Sequence, residues 1–227
     1  MGAKKSAGKL ASFVISGMMA LAVVHDATSH ATKNMSVPAI ADTAFDGMSW
    51  TASPERLTDG SDAKIKPLLG TMSGAIALHY RGAKDTVAVS IEYWQNGMKT
   101  KTSEGLSMGF PDSEIDNQGN YQFDSDFVYS LQNRYDTSGA TGSDLVYALV
   151  SKNGYGSTAV KVEKPAEINM LGEMKLQTSV KVPLNESTLV WGLQGTDAGQ
   201  MTSYSSMADT LQHAKWAMVV RIGFPSP

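Results

Sequence analysis

The sequence predicts a mainly β protein: an antiparallel β-sandwich, immunoglobulin-like or related, with one short helix before the last strand. Three observations carry that expectation. Beyond Thr71 apolar residues recur at every second position, the period that lines one face of a sheet. Clusters of Gly, Pro, Asn and Asp cut this stretch into short runs, the turn spacing of sandwiches and, second, of barrels. No strand pattern alternates with helix-length patterns, which removes the doubly wound folds and their nucleotide crevice.

Residues 1–31 read as a signal peptide. Lys4, Lys5 and Lys9 precede an apolar run from Leu10 to Val24, and Ser29-His30-Ala31 supplies a small-residue cleavage site. The apolar run is shorter than the roughly 20 residues a membrane span needs, and Asp26 follows it closely. No stable transmembrane anchor is therefore expected once cleavage after Ala31 has occurred. The mature chain would hold 16 basic and 21 acidic residues, a net charge of −5.

Residues 32–70 are rich in Ser, Thr, Asp, Ala and Pro without sustained periodicity, and are expected to be largely irregular, pinned to the body by Phe45 and Trp50. The sandwich is expected over 71–227. Its clearest unit is Thr86–Thr102, where Val87, Val89, Ile91 and Tyr93 alternate with polar residues up to Asn96-Gly97, the strongest short hairpin signal. A two-residue turn there sets Trp94 opposite Lys99, Tyr93 opposite Thr100 and Glu92 opposite Lys101. Asn153-Gly154 predicts a second hairpin, pairing Leu145 with Val162, Tyr147 with Val160 and Leu149 with Thr158. Further strands are expected at Ser73–Tyr80, Leu106–Phe110, Tyr121–Leu131, Lys175–Val182 and Thr188–Gln194.

A helix is predicted near Ser206–Lys215. Ser205 or Ser206 would cap it, Asp209 and Lys215 suit its dipole, and Met207, Leu211 and Ala214 form an apolar stripe for an edge or end of the sheets. In the final strand, Trp216–Phe224, only Arg221 interrupts the second apolar face, which suggests a sheet edge or a covering loop.

Composition narrows the chemistry. Apolar residues make up 42% of the chain, enough for a core. Charged residues at 18% with an acidic balance give no basic stripe for nucleic acid. The absence of cysteine excludes disulfides, thiol catalysis and a lipid-modified N-terminal cysteine. Cleavage would leave His79 and His213 as the only imidazoles; the first reads as a sheet-surface residue and the second as a helix C-terminal one. No G-x-S-x-G elbow occurs.

Two candidate sites remain. Asp112, Glu114, Asp116, Asp124 and Asp126 are oxygen donors of the type Ca²⁺ takes, although an EF-hand count from Asp112 finds Asn117 and Phe123 where glycine and glutamate belong. No other cofactor is implied. Trp94 and Tyr155 are the aromatics that the strand phases place outside the core, where they would present flat faces to a polymer. Met98, Met108 and Met218 read as core filler.

The segment Leu184-Asn185-Glu186 through Leu189-Val190-Trp191-Gly192-Leu193-Gln194, with Ala214-Lys215-Trp216-Ala217-Met218-Val219-Val220, resembles the C-terminal part of small exported proteins of spore-forming Gram-positive bacteria. The resemblance follows strand order over roughly residues 70–224 and implies an envelope address. It carries over no catalytic residue, and the signal cysteine of many such lipoproteins has no counterpart here. The leading expectation is an extracellular or cell-envelope, non-enzymatic binding or structural module for an envelope polymer or protein. The alternatives are a secreted hydrolase with loop-borne carboxylates and a subunit that assembles by strand addition along Trp216–Phe224.

Overall fold

The computed structural model describes residues 49–57, 68–70, 72–137 and 139–225. The predicted signal peptide and Phe45 lie outside the described residues. Among those residues eleven strands form two antiparallel sheets: β1 (Ser49–Glu55), β2 (Met72–Gly82), β3 (Thr86–Gln95), β4 (Met98–Gly109), β5 (Tyr121–Asp136), β6 (Gly139–Ser151), β7 (Gly154–Lys161), β8 (Met170–Lys175), β9 (Val180–Pro183), β10 (Ser187–Thr196) and β11 (Trp216–Gly223). The six-stranded sheet runs β7-β6-β5-β2-β1-β9 and the five-stranded sheet β4-β3-β11-β10-β8. The sheets stack as the expected sandwich. Among the described residues a single α-helix, α1 (Met207–His213), precedes the last strand, also as expected.

The alternation that predicted strands builds the core. Ile76, Leu78 and Tyr80 from β2, Phe127, Tyr129 and Leu131 from β5, and Leu145, Tyr147 and Leu149 from β6 face Val87, Val89 and Ile91 from β3 and Trp216, Met218, Val220 and Ile222 from β11. A second, smaller cluster lies on the outer face of the five-stranded sheet. There Leu211 and Ala214, at and just beyond the end of α1, pack with Met174, Ala217 and Val219, while Trp94, Leu189 and Met207 close over them. The apolar stripe of α1 thus covers a sheet face rather than an edge. Ser206 caps the helix by accepting from the Asp209 amide at 3.0 Å.

Several expectations need correction. The sandwich begins at β1, inside the stretch expected to be irregular. Trp50 and Ala52 are fully buried, and β1 pairs with both β2 and β9. The predicted strand Lys175–Val182 is in fact a crossing: β8 ends in one sheet and β9 begins in the other. Leu176 and Val182 both face the same core, so the alternation survives the change of sheet and mimics one strand. The Trp216–Phe224 run is central, between β10 and β3, so it offers no free edge for strand addition. Met98 is 68% exposed, because it sits beside the tip of the first hairpin.

Both hairpins form, with altered registers. At Asn96-Gly97 the φ values are 49° and 75°, as a type I′ turn demands, and Trp94 lies opposite Lys99. A bulge then sets Tyr93 opposite Lys101 and Glu92 opposite Thr102. The inserted Thr100 donates its hydroxyl to the Tyr93 carbonyl at 3.1 Å. In the second hairpin Ser151 pairs with Gly154, so the turn is Lys152-Asn153, one residue early. Ser151 Oγ accepts from the Asn153 amide at 3.3 Å, and the Asn153 side chain donates to Glu114 at 2.7 Å. Leu145 therefore meets Val160, Tyr147 meets Thr158 and Leu149 meets Gly156. A shift of two residues keeps every side chain on its predicted face.

Candidate functional site

The five acids proposed as calcium ligands are spread among separate local structures. Asp112 and Glu114 belong to a 3₁₀ turn, Asp112–Glu114, in which Glu114 is buried against Asn153. Asp116 accepts from Arg81 Nε at 2.7 Å and from the amides of Gln118 and Asn120. Those contacts, led by the Asn120 amide, hold its carboxyl down to about 2. Asp124 binds His79 Nδ1 at 2.8 Å. Asp126 neighbours Glu55, and burial together with that second carboxyl raises the Glu55 pKa. Among the described residues no three His, Asp or Glu side chains converge to hold a metal ion.

The two aromatic candidates lie on opposite outer faces. Tyr155 is 76% exposed on β7, beside Val150 of β6. Trp94 is half-buried at the rim of the cluster under α1 and donates its indole N–H to Glu92 at 3.2 Å.

Around Trp94 the structure assembles a charged knot that sequence reading only partly anticipated. Glu92 points outward from β3 as predicted, yet the residue is 3% exposed. Its carboxylate accepts from Lys99 Nζ at 3.2 Å and Arg221 Nε at 3.1 Å. Burial pushes the Glu92 carboxyl up, but the Arg221 charge and the bonds from Arg221 and Lys99 outweigh it, so its pKa lies below the ordinary value. Arg221, the lone interruption in the last strand, is thus held by this carboxylate and by the Ser187 carbonyl. It does not lie at a sheet edge, since β11 is central between β10 and β3.

Arg221 also marks the middle of a groove on the same outer face. The larger lobe, about 500 Å³, lies between the Ser203–Ser206 segment leading into α1 and the β8–β9 crossing; Met174, Leu189 and Met207 give it apolar walls. A smaller lobe of about 270 Å³ is lined by Ala88, Ser90 and Asn185 among others, and both lobes share Ser187 and Arg221. The charged residues of the larger lobe are already paired. Glu173 accepts from Trp191 Nε1 at 2.9 Å and lies 3.6 Å from Lys175 Nζ, while Arg221 is held by Glu92. Tyr204 at the rim is 43% exposed and stacks on His213, with ring centroids 4.3 Å apart.

Gln194 lines the larger lobe from β10. The residue is 7% exposed, and its carboxamide opens on the lobe rather than being sealed in the protein interior without a partner. Sequence reading missed Gln194 and Tyr204. The available signal was a lone amide between the apolar Trp191-Gly192-Leu193 and Gly195 of a strand, whose outer face is covered by a segment remote in sequence. No family model, curated protein or solved structure matches the chain.

Proposed function

We propose that this is an exported, non-catalytic binding module of the cell envelope or its surroundings, with its ligand seated in the outer-face groove of the five-stranded sheet. The observation that carries this reading is the groove itself. It is concave and partly apolar, its two lobes share Ser187 and Arg221, and the charges of its larger lobe are paired within the protein; concave, largely apolar surfaces with a few polar groups are where small ligands bind. The leader pattern of residues 1–31 and the likeness to exported proteins supply the address.

The test is co-sedimentation of the mature protein with purified cell-wall sacculi of a spore-forming Gram-positive bacterium, beside the variant Ser187→Trp. Ser187 is exposed and common to both lobes, so an indole there obstructs the groove. Sedimentation of the unmodified protein and its loss in an equally stable Ser187→Trp support the reading; equal sedimentation of both removes the groove from it. Intact mass of protein from culture medium should begin at Thr32, and a retained Met1 would contradict export with cleavage.

A secreted hydrolase has one specific observation in its favour. Glu55, whose carboxyl is raised by burial and by the neighbouring Asp126, lies on the outer face that also carries the His79–Asp124 pair. Release of soluble fragments from sacculi, abolished by Asp126→Asn, would favour that reading over binding.

A further inference from the structure

We infer that the larger lobe takes a neutral oligosaccharide bearing N-acetyl groups, with Gln194 as the residue that reads the acetamide; this rests on the groove being the binding site. A carboxamide carries two N–H donors and one carbonyl acceptor. The Gln194 carboxamide is not among the buried polar atoms left unpaired; it opens on the lobe without a partner inside the protein, so both its donors and its acceptor are free to meet a ligand. Gln194 is more than nine-tenths buried, lacks a partner among the described residues and lines the lobe.

An N-acetyl group is its chemical complement. The acetamide N–H meets the Gln194 carbonyl, the acetamide carbonyl meets the Gln194 amino group, and the methyl finds apolar side chains in Met174, Leu189 and Met207. The rest of the lobe suits a sugar ring. Ser203 and Thr178 supply hydroxyls at the edge, and Tyr204 offers an aromatic surface that is 43% exposed, on which the apolar face of a pyranose rests. Because Glu173, Lys175 and Arg221 are already paired within the protein, a charged ligand would meet no free counter-charge from them. A peptide also presents an amide, but it makes less use of the hydroxyl rim and the aromatic ring.

The experiment is calorimetric titration of the mature protein with the β-1,4-linked hexamer of N-acetylglucosamine. Cellohexaose, which has the same backbone with hydroxyl in place of acetamido, and a neutral Ser/Ala hexapeptide serve as comparisons. The expected result is a preference of about tenfold or more for the acetylated hexamer. That preference should persist in about 0.5 M salt, where exposed charge pairs are screened. Gln194→Leu should erase the preference while leaving thermal stability equal or higher; Gln194→Met, unbranched and of similar length, is the second variant if the first folds poorly.

Equal affinity for the two hexamers, or a preference that survives both substitutions, overturns the role of Gln194. Binding of the peptide alone overturns the sugar class. Sedimentation with sacculi that Ser187→Trp blocks, without affinity for either hexamer, overturns this ligand while the binding-module reading stands. Absence of sedimentation overturns that reading itself.

Discussion

Replacing Glu92 by alanine removes the carboxylate on which Arg221, Lys99 and the Trp94 indole converge, at 3.1, 3.2 and 3.2 Å. Stripping a buried charge of its partner costs about 3–5 kcal/mol. Here Arg221 keeps 27% of its side chain exposed and Lys99 keeps 48%, so water recovers part of the loss and about 2 kcal/mol remains. For a chain of this size that lowers Tm by about 4–8 °C. Urea or thermal unfolding of Glu92→Ala, Arg221→Ala and the double variant measures it, with an expected coupling of about 1 kcal/mol. The pH dependence has a definite sign. The Glu92 pKa is lower in the folded state, so its contribution is present above the unfolded value and is lost as pH falls through the folded one. The cost of Glu92→Ala should be full at pH 7 and shrink below about pH 4. Additive single variants, or an unchanged cost at pH 3, would refute the reasoning.

Three further outcomes follow from the geometry. Glu173→Leu leaves the Trp191 indole N–H and the Tyr129 hydroxyl, both buried, without their acceptor, and should cost about 3 kcal/mol in urea unfolding; a loss within experimental error of zero would show that neither bond contributes. Gly97→Ala puts a side chain on a residue at φ 75°, with its Cβ 2.2 Å from the Gln212 carbonyl oxygen. It should destabilise by about 2 kcal/mol, and an unchanged Tm would mean the turn relaxes freely. The hydrogen bond to Asp124 raises the His79 imidazole despite burial, so the pair stabilises fully below the unfolded value of about 6.5 and the benefit fades as pH climbs through the folded one. NMR titration should give His79 a higher midpoint in the unmodified protein than in Asp124→Asn; equal midpoints contradict the pairing.

The strands most legible in sequence were those whose large apolar residues alternate beside a strong turn signal. Val87, Val89 and Ile91 leading to Asn96-Gly97 specified strand, turn and face together. β1 escaped notice because Trp50 is its only large apolar residue. Ala52 adds little hydrophobic signal, and Pro54 argues against a strand interior. The β8–β9 crossing was misread because Leu176 and Val182 turn toward one core from opposite sides of the gap between sheets. Register failed at Thr100 and at Lys152-Asn153 for a related reason. A bulge or a one-residue shift of the turn depends on local hydrogen bonds, here Thr100 to the Tyr93 carbonyl and Ser151 to the Asn153 amide, which leave little trace in hydrophobic patterning.

The groove was less legible than the sheets. Arg221 was visible as an anomaly, but its partner Glu92 lies on another strand 129 residues away in sequence. Gln194 becomes a candidate contact only because the Ser203–Ser206 segment and the β8–β9 crossing close over β10. Trp94 does lie outside the main core, as its strand phase predicts, but α1, remote in sequence, half-buries it. Tyr204, in a segment without periodicity, takes the exposed position at the groove rim.

Chemical-shift mapping of the isotope-labelled mature protein with soluble glycan fragments released from sacculi tests the central claim most directly. Perturbations centred on the Gln194 side-chain amide, Leu189 and Met207, with the β5–β6–β7 outer face unchanged, are the predicted result. Perturbations gathered instead around Tyr155 and His79, or none at saturating fragment, would contradict it.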